Sequence, residues 1–251
     1  MDALQGIVLG ILQGILEWIP VSSQGQSMLA MIYWLGLSPN DALSYSIFLH
    51  LGTMTAVLIR FRQAFFKMFI EIDSKLTRIV IVSTFCTGIT GIPLYLLFRA
   101  SFTGGREATL LIGALLIATG LMLRFKGSGS RVAEDMGLAD MIVLGLAQGF
   151  SILPGVSRSG TTLTVLLMKG FKQDEALAVS FIISVPAVLG AIVLDHSIAA
   201  IPWMTAAAML MASLVVGYLT MDLLIRFAKM INFSGFCLAL GLITLLLALG
   251  L

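Results

Sequence analysis

Four ionisable side chains, Glu17, His50, Arg158 and Asp222, stand inside long apolar stretches of this 251-residue sequence. A charge at membrane depth is expensive enough to make each a functional candidate. Glu17 follows Gln13 by four residues, which puts both on one face of a helix. Arg158 lies in the run Pro154-Gly155-Val156-Ser157-Arg158-Ser159-Gly160-Thr161-Thr162, among hydroxyls. A guanidinium binds phosphoryl oxygens bidentately and stays charged at any pH. The hydroxyls of Ser22, Ser23, Ser157, Ser159 and Thr162 add donors, and one of them can serve as a nucleophile. Glu17 can hold a divalent cation or accept the nucleophile's proton. Phosphoryl recognition inside a membrane is the chemistry these types suit. A packing role competes, because Ser, Thr and Gly also permit close helix contact and satisfy broken backbone. That alternative is weakest for Glu17 with Arg158. His50, in Phe48-Leu49-His50-Leu51-Gly52-Thr53, has no partner at metal-ligand spacing and reads as a packing residue before a catalytic one. Asp222 stands one turn before Arg226 and is expected to pair with it, while Asp195 and His196 are expected in a solvated loop.

These residues need a membrane scaffold to position them. The sequence is 59% hydrophobic and only 11% charged, with a mean hydropathy of +1.04. A soluble domain carries about 25% charged residues, so a soluble enzyme is excluded. The net charge of +2 gives no case for nucleic acid, and Cys86 and Cys237 form no disulfide framework or metal motif. No signal peptide is expected, since the first Lys or Arg is Arg60. Six segments read as spans: about 42–59, 79–98, 108–123, 176–194, 203–225 and 233–251. Residues 3–37 and 140–170 are instead short apolar flanks around Pro/Ser/Gly breaks, which suits re-entrant half-helices restarting near Ser27 and Thr161. Their N–H groups and positive dipole ends would then point into the hairpin tips. Residues 61–76 read as an amphipathic interfacial helix facing lipid headgroups, or as an ordinary linker helix.

The two broken regions repeat each other. Residues 7–14 match 142–149 at six of eight positions, and the same offset of 135 pairs Val21 with Val156, Ser22 with Ser157 and Gly25 with Gly160. One hairpin followed by three spans in each half makes the repeats inverted, as in many transporters with midplane sites. Loop charges agree. Twelve basic residues fall in 60–78, 124–137, 169–175 and 226–232, against Arg99 and Arg106 on the other side. The basic side is therefore expected to be cytoplasmic and both termini outside. The fold class expected is an all-α polytopic membrane protein: six transmembrane helices plus two re-entrant helical hairpins in an inverted-topology repeat. It forms a single integral membrane domain with repeats at about 1–126 and 137–251.

At this point the motifs resemble a known family. Gln13-Gly14-Ile15-Leu16-Glu17-Trp18-Ile19-Pro20-Val21-Ser22-Ser23-Gln24-Gly25 resembles the Glu/Gln-x-x-x-Glu and P-V-S-S-x-G signature of the undecaprenyl-diphosphate phosphatases, the bacitracin-resistance family. Pro154 to Thr162 resembles that family's P-G-x-S-R-S-x-x-T motif, and Leu49 to Thr53 and Ser184 to Ala187 look like family segments. The resemblance spans essentially the whole chain. It implies a plasma-membrane hydrolase that removes the terminal phosphate of a polyprenyl diphosphate, regenerating a monophosphate carrier for cell-envelope glycan assembly. It implies Mg²⁺ or Ca²⁺ as cofactor, with Gln13 and Glu17 at the acidic motif and Ser23 where a nucleophilic serine has been proposed. Ser157, Arg158 and Thr162 fall on the phosphate-binding motif. One departure stands out: a His central to catalysis in bacterial members is Gln26 here, and a carboxamide cannot act as base or phosphate acceptor. Glu17 then serves as base for Ser23, or His50 approaches from the neighbouring span, or the protein binds its lipid without rapid hydrolysis.

The expected site combines Ser23, Glu17 and Arg158 as catalytic groups, with Ser22, Gln26, Ser157, Ser159 and Thr162 binding phosphate. Gln13 and Glu17 are the candidate metal ligands, and His50 is an additional candidate. The expected partners are the polyprenyl diphosphate and membrane lipids. Oligomeric state stays open, a homodimer included. A polyprenyl-phosphate transporter or flippase with weak or no hydrolysis is the alternative, because broken helices in inverted repeats also build carriers.

Overall fold

A computed structural model describes residues 1–125, 127 and 129–250. Lys126, one of the loop charges counted above and the boundary of the expected first repeat, and Leu251, the end of the expected last span, lie outside the described residues. Side-chain oxygens set many of the helix starts. Asp2 and Gln5 form a reciprocal capping box at the start of α1 (Ala3–Leu16), each side chain bonding the other's backbone at 2.8 and 2.9 Å. Helix α1 stops before the turn 17–22, where Pro20 lacks an N–H and Ser22 takes a left-handed conformation at φ 59°. The Ser22 side chain then caps α2 (Ser23–Leu35). Ser38 and Pro39 open α3 (Pro39–Arg60), and Ser74 caps α5 (Lys75–Ser101) after a short α4 (Arg62–Ile70). Helix α6 (Gly105–Met122) closes the first half.

Among the described residues, five α-helices follow α6. Helix α7 (Leu138–Gly149) runs through a 3₁₀ turn at Phe150–Ile152 into the Pro154-Gly155 turn, and Ser157 caps α8 (Arg158–Met168). Then come α9 (Gln173–Leu194), α10 (Trp203–Met230) and α11 (Ser234–Leu249). Both restarts come earlier than expected, at Ser23 and Arg158 instead of near Ser27 and Thr161. The reason is that the serines preceding them are the caps, and the chain turns helical immediately after a cap.

Helices α3, α5, α6, α9 and α10 are long and apolar enough to cross a membrane. Each of these five helices also turns apolar side chains outward, Phe85 and Leu219 being 71% and 74% exposed, as a lipid-facing surface requires. The 16 residues of α11 reach about 24 Å at 1.5 Å per residue, short of the ~30 Å hydrocarbon core. Among the described residues the one β-type pairing is an isolated bridge between Arg131 and Phe171. The protein is an all-helical, multi-pass membrane protein.

Small residues bring the broken helices against long ones. Gly6, Gly10 and Gly14 form one face of α1 against α10, where a Cβ on Gly14 would stand 2.7 Å from the Gly217 nitrogen. On α7, a Cβ on Gly145 would stand 2.3 Å from the Ser83 carbonyl oxygen of α5. Thr220 donates from α10 to the Gly14 carbonyl at 3.0 Å, and Thr87 from α5 to the Gly145 carbonyl at 3.1 Å. Close approach through glycine with hydroxyl cross-bonds is how helices associate where apolar burial gives no advantage over lipid.

Three local expectations need correction. Helix α4 ends at Ile70, so 61–76 is a nine-residue helix followed by a turn; Phe66 and Phe69 face outward while Phe65 and Met68 pack inward. Asp222 pairs with Arg60 at 3.2 Å, not Arg226, because α3 and α10 pack side by side. Asp195 is buried rather than solvated, 2.5 Å from Arg99 Nη2. Arg99 also donates to the Ser44 hydroxyl at 2.5 Å and to the Tyr95 hydroxyl at 3.0 Å. This cluster ties the ends of α3, α5 and α9. Cys86 and Cys237 are free and buried.

Candidate active site

The turns after α1 and before α8 meet in a small polar chamber whose lining includes Glu17, Ser22, Ser23, His50, Ser157 and Arg158. Glu17 ends α1, its backbone N–H still bonded to the Gln13 carbonyl, so the carboxylate projects from the helix terminus. Ser23 and Arg158 are the first residues of α2 and α8. The first-turn N–H groups of both helices lack intrahelical acceptors, so two positive helix ends converge on the chamber. An anion is the ligand such a site favours.

Glu17 is the hub, although only 7% exposed. Its Oε2 accepts from the Ser23 hydroxyl at 2.7 Å and from Gln13 Nε2 at 2.9 Å, with His50 Nε2 3.4 Å away. Its Oε1 accepts from Arg158 Nη2. Arg158 also donates from Nη1 to the Ser180 carbonyl at 3.3 Å, and its guanidinium lies 5.4 Å from the centre of the Phe181 ring. The buried carboxylate is thus paired with a partly buried cation, and each side chain holds the other's orientation. Residues 141 positions apart, whose spacing carries no local pattern, are brought into contact.

The chamber separates residues that sequence motifs treat alike. Ser22 Oγ accepts from the Gly25 N–H at 3.3 Å and from the Gly155 N–H at 3.0 Å, bridging the two turns. Ser157 Oγ accepts from the Gly160 N–H at 3.1 Å. Both oxygens line the chamber and accept backbone N–H bonds as caps, and each keeps its own O–H hydrogen to donate. Ser159 lines the chamber beside Ser157. Thr162, expected to bind phosphate, is instead fully buried one turn along α8 and bonded to the Ser180 hydroxyl at 2.6 Å and the Arg158 carbonyl at 2.9 Å. Its helical spacing turns it toward α9. Gln26, given the same expected role, turns its amide to the Val21 carbonyl at 3.5 Å and does not line the chamber. Gln24 and Ser151, which the motif reading passes over, do line it. Their only sequence signal is position, Gln24 inside the first break and Ser151 just before the second.

Gln13 Oε1 is buried without a partner, next to the Glu17 carboxylate. Among the described residues no cluster of three or more His, Cys, Asp or Glu could hold a metal. One carboxylate and one amide oxygen fall short of the six oxygens a Mg²⁺ ion takes, but they suit a cation that brings the remaining oxygens with a phosphate ligand. Beyond the chamber, and sharing Gln24, His50, Ser151 and Arg158 with it, lies a mostly apolar cavity of about 610 Å³. It runs between α3, α5, α7 and α9 as far as Leu194 and His196.

The comparisons with known proteins agree with one another. The family model described as bacitracin resistance protein BacA matches residues 6–243. A protein of Methanothrix thermoacetophila named undecaprenyl-diphosphatase is 64% identical over 250 residues, covering 98% of this chain and 97% of its own. Proteins of the same name from Haloarcula marismortui and Methanopyrus kandleri are 40% and 38% identical, over 95% and 97% of this chain and 94% and 95% of theirs. The chain belongs to the bacitracin resistance protein BacA family.

Proposed function

We propose that this protein is a membrane phosphatase that hydrolyses an undecaprenyl-type polyprenyl diphosphate to the monophosphate carrier and inorganic phosphate, recycling the carrier for envelope glycan synthesis. The observation that carries the reading is the contact of Ser23, Glu17 and Arg158 at two helix N-termini, in a polar chamber continuous with an apolar cavity. A charged headgroup suits the chamber and an isoprenoid tail suits the cavity. The same name on relatives up to 64% identical supports this substrate class.

Arg158 and the free first-turn N–H groups of α2 and α8 hold the terminal phosphoryl oxygens and stabilise their charge in the transition state. Ser23 Oγ attacks the terminal phosphorus; the Oγ–P bond forms as the bond to the bridging oxygen breaks, and polyprenyl monophosphate leaves with the electron pair. Glu17 Oε2, already the acceptor of the Ser23 O–H at 2.7 Å, takes the proton. Water then attacks the phosphoserine, returning Ser23 and releasing phosphate. Gln13 Oε1 and Glu17 would help hold Mg²⁺ or Ca²⁺, which when bound would offset diphosphate charge.

The finer architecture follows as part of the proposal: two re-entrant hairpins, α1–α2 and α7–α8, in inverted repeats, with six spans. The capping serines Ser22 and Ser157 stand at equivalent positions, and each short helix packs against a long helix of the opposite half, α1 on α10 and α7 on α5. That reciprocal exchange supports a duplication. The cavity's reach to His196, on the side poor in Lys and Arg, supports a site open to the outside with both termini there.

The test is phosphate release from a polyprenyl diphosphate by purified protein, with and without Mg²⁺ or Ca²⁺. Release that a chelator abolishes is expected. Movement of labelled lipid between liposome leaflets with no phosphate release would instead establish the carrier reading.

A further inference from the structure

We propose that α4 is a docking surface for acidic phospholipids: it lies along the membrane surface on the basic side and holds their headgroups there. The helix has three faces. Phe61 at its cap, Ala64, Phe65 and Met68 recur at spacings of three and four and pack inward, on the cluster that contains Ile79, Val80 and Met136. Phe66, Phe69 and Ile70 form a second face, between 66% and 81% exposed, which Ile72 extends into the following turn. Gln63 and Lys67, with Glu71 at the helix end, form a polar third face. A linker helix between protein and water needs only the first and the third. An exposed patch of large apolar side chains marks a contact with something other than water.

The place of α4 in the chain says what covers that face. Arg60 ends α3 and Lys75 starts α5, two of the helices long and apolar enough to cross a membrane, so the segment between them starts and finishes at a membrane boundary. Its nine helical residues reach about 14 Å at 1.5 Å per residue, less than half the ~30 Å hydrocarbon core. The helix therefore runs along the surface instead of crossing. At that level an apolar face sinks into the boundary between headgroups and acyl chains.

Charge decides which lipid it takes. Residues 60–78 carry Arg60, Arg62, Lys67, Lys75 and Arg78 against Glu71 and Asp73. Arg60 is paired with Asp222 at 3.2 Å; Lys67 meets Glu71 at 3.6 Å, an exposed pair that contributes little. Among the described residues Arg62, Lys75 and Arg78 form no ion pair. Arg62 precedes Phe66 by four residues and Ile70 by eight, so its guanidinium borders the apolar face. These three, with Gln63, Lys67 and Glu71, line an open groove of about 480 Å³. An acyl chain against Phe66 and Ile70, with its phosphate against Arg62 and Lys67, fills both halves of it. A zwitterionic headgroup brings its own cation to the same place and gains less. None of these residues lines the chamber or the apolar cavity, so the surface is separate from the candidate active site.

The test is the fluorescence of Phe69→Trp in bilayers that mix brominated phosphatidylglycerol with phosphatidylcholine, or the reverse, read as the difference from wild type with its Trp18, Trp34 and Trp203. Phe69 is 81% exposed, so the larger ring displaces nothing, and Phe66→Trp repeats the reading on the same face. Both brominated lipids should quench the added indole, phosphatidylglycerol in preference. Arg62→Gln with Lys67→Gln should lower that preference about fivefold for each charge removed, the worth of one basic residue near an anionic surface. Salt at 1 M, where the screening length is about 3 Å, should remove most of it. An indole quenched by neither lipid would place α4 in water as a plain linker and overturn the proposal. Equal quenching by the two lipids, or a preference that the double variant leaves unmoved, would overturn it as well. Shielding that develops only as protein density in the bilayer rises would assign the face to a second copy of the chain, with the same consequence.

Discussion

Replacing Arg99 by Met tests whether the ends of α3, α5 and α9 that meet at Arg99 are held by a single buried ion pair. The Asp195 carboxylate is fully buried, and the Arg99 side chain is 19% exposed. Met keeps most of the length and volume but removes the charge, the contact to Asp195 and the bonds to Ser44 and Tyr95. Breaking a buried pair by removing one partner costs about 3–5 kcal/mol, because the remaining charge is left uncompensated. For a chain of this size, each kcal/mol lowers Tm by about 2–4 °C, so the variant should melt about 6–20 °C below wild type. The assay is thermal unfolding of purified protein at fixed detergent concentration. Removing both charges, as Arg99→Met with Asp195→Leu, should recover most of the loss, since an apolar replacement of a whole buried pair is often neutral. A Tm shift below about 3 °C in the single variant would refute the reasoning. A double variant as unstable as the single would refute it equally.

Ser22 and Ser23 are adjacent but should fail differently. Ser22→Ala removes a cap worth about 1 kcal/mol and orphans the Gly155 N–H at a further ~1–3 kcal/mol, so its main effect should be a lower Tm, whereas Ser23→Ala should lose turnover at unchanged Tm. Arg158→Lys keeps the charge but loses the bidentate fork, and kcat/KM should fall about 10²- to 10³-fold in phosphate-release assays. Gly52→Ala would push a Cβ to 2.7 Å from the Leu210 carbonyl oxygen and should cost at least ~1–3 kcal/mol in thermal unfolding. Gly190→Ala, with nothing within 4 Å of the added carbon, is the control expected to leave Tm unchanged or slightly raised.

Features with a local chemical signature were legible in the sequence. The long helices follow from apolar runs, and the breaks follow from Pro20, Ser22, Pro154 and Gly155. Glu17 and Arg158 stood out because charges are rare in such a chain. What sequence could not assign was the division of labour among hydroxyls. Ser22 is the cap of α2 and also bonds the Gly155 N–H, and Ser23, one residue on, is free to meet Glu17. Thr162 turned away for a reason of helical phase. The Arg99–Asp195 pair and the approach of His50 to Glu17 join residues far apart in sequence, and no spacing rule reports them. Gln26 carried weight through a motif, yet its side chain is directed elsewhere.

The central claim is that the Ser23 hydroxyl, held by Glu17 beside Arg158, attacks the terminal phosphorus. Phosphate release from polyprenyl diphosphate by purified wild type and Ser23→Ala, side by side with Mg²⁺ or Ca²⁺, tests it most directly. The account predicts turnover by wild type and none above background from a Ser23→Ala protein of unchanged Tm. Phosphate release by folded Ser23→Ala at the wild-type rate would contradict it.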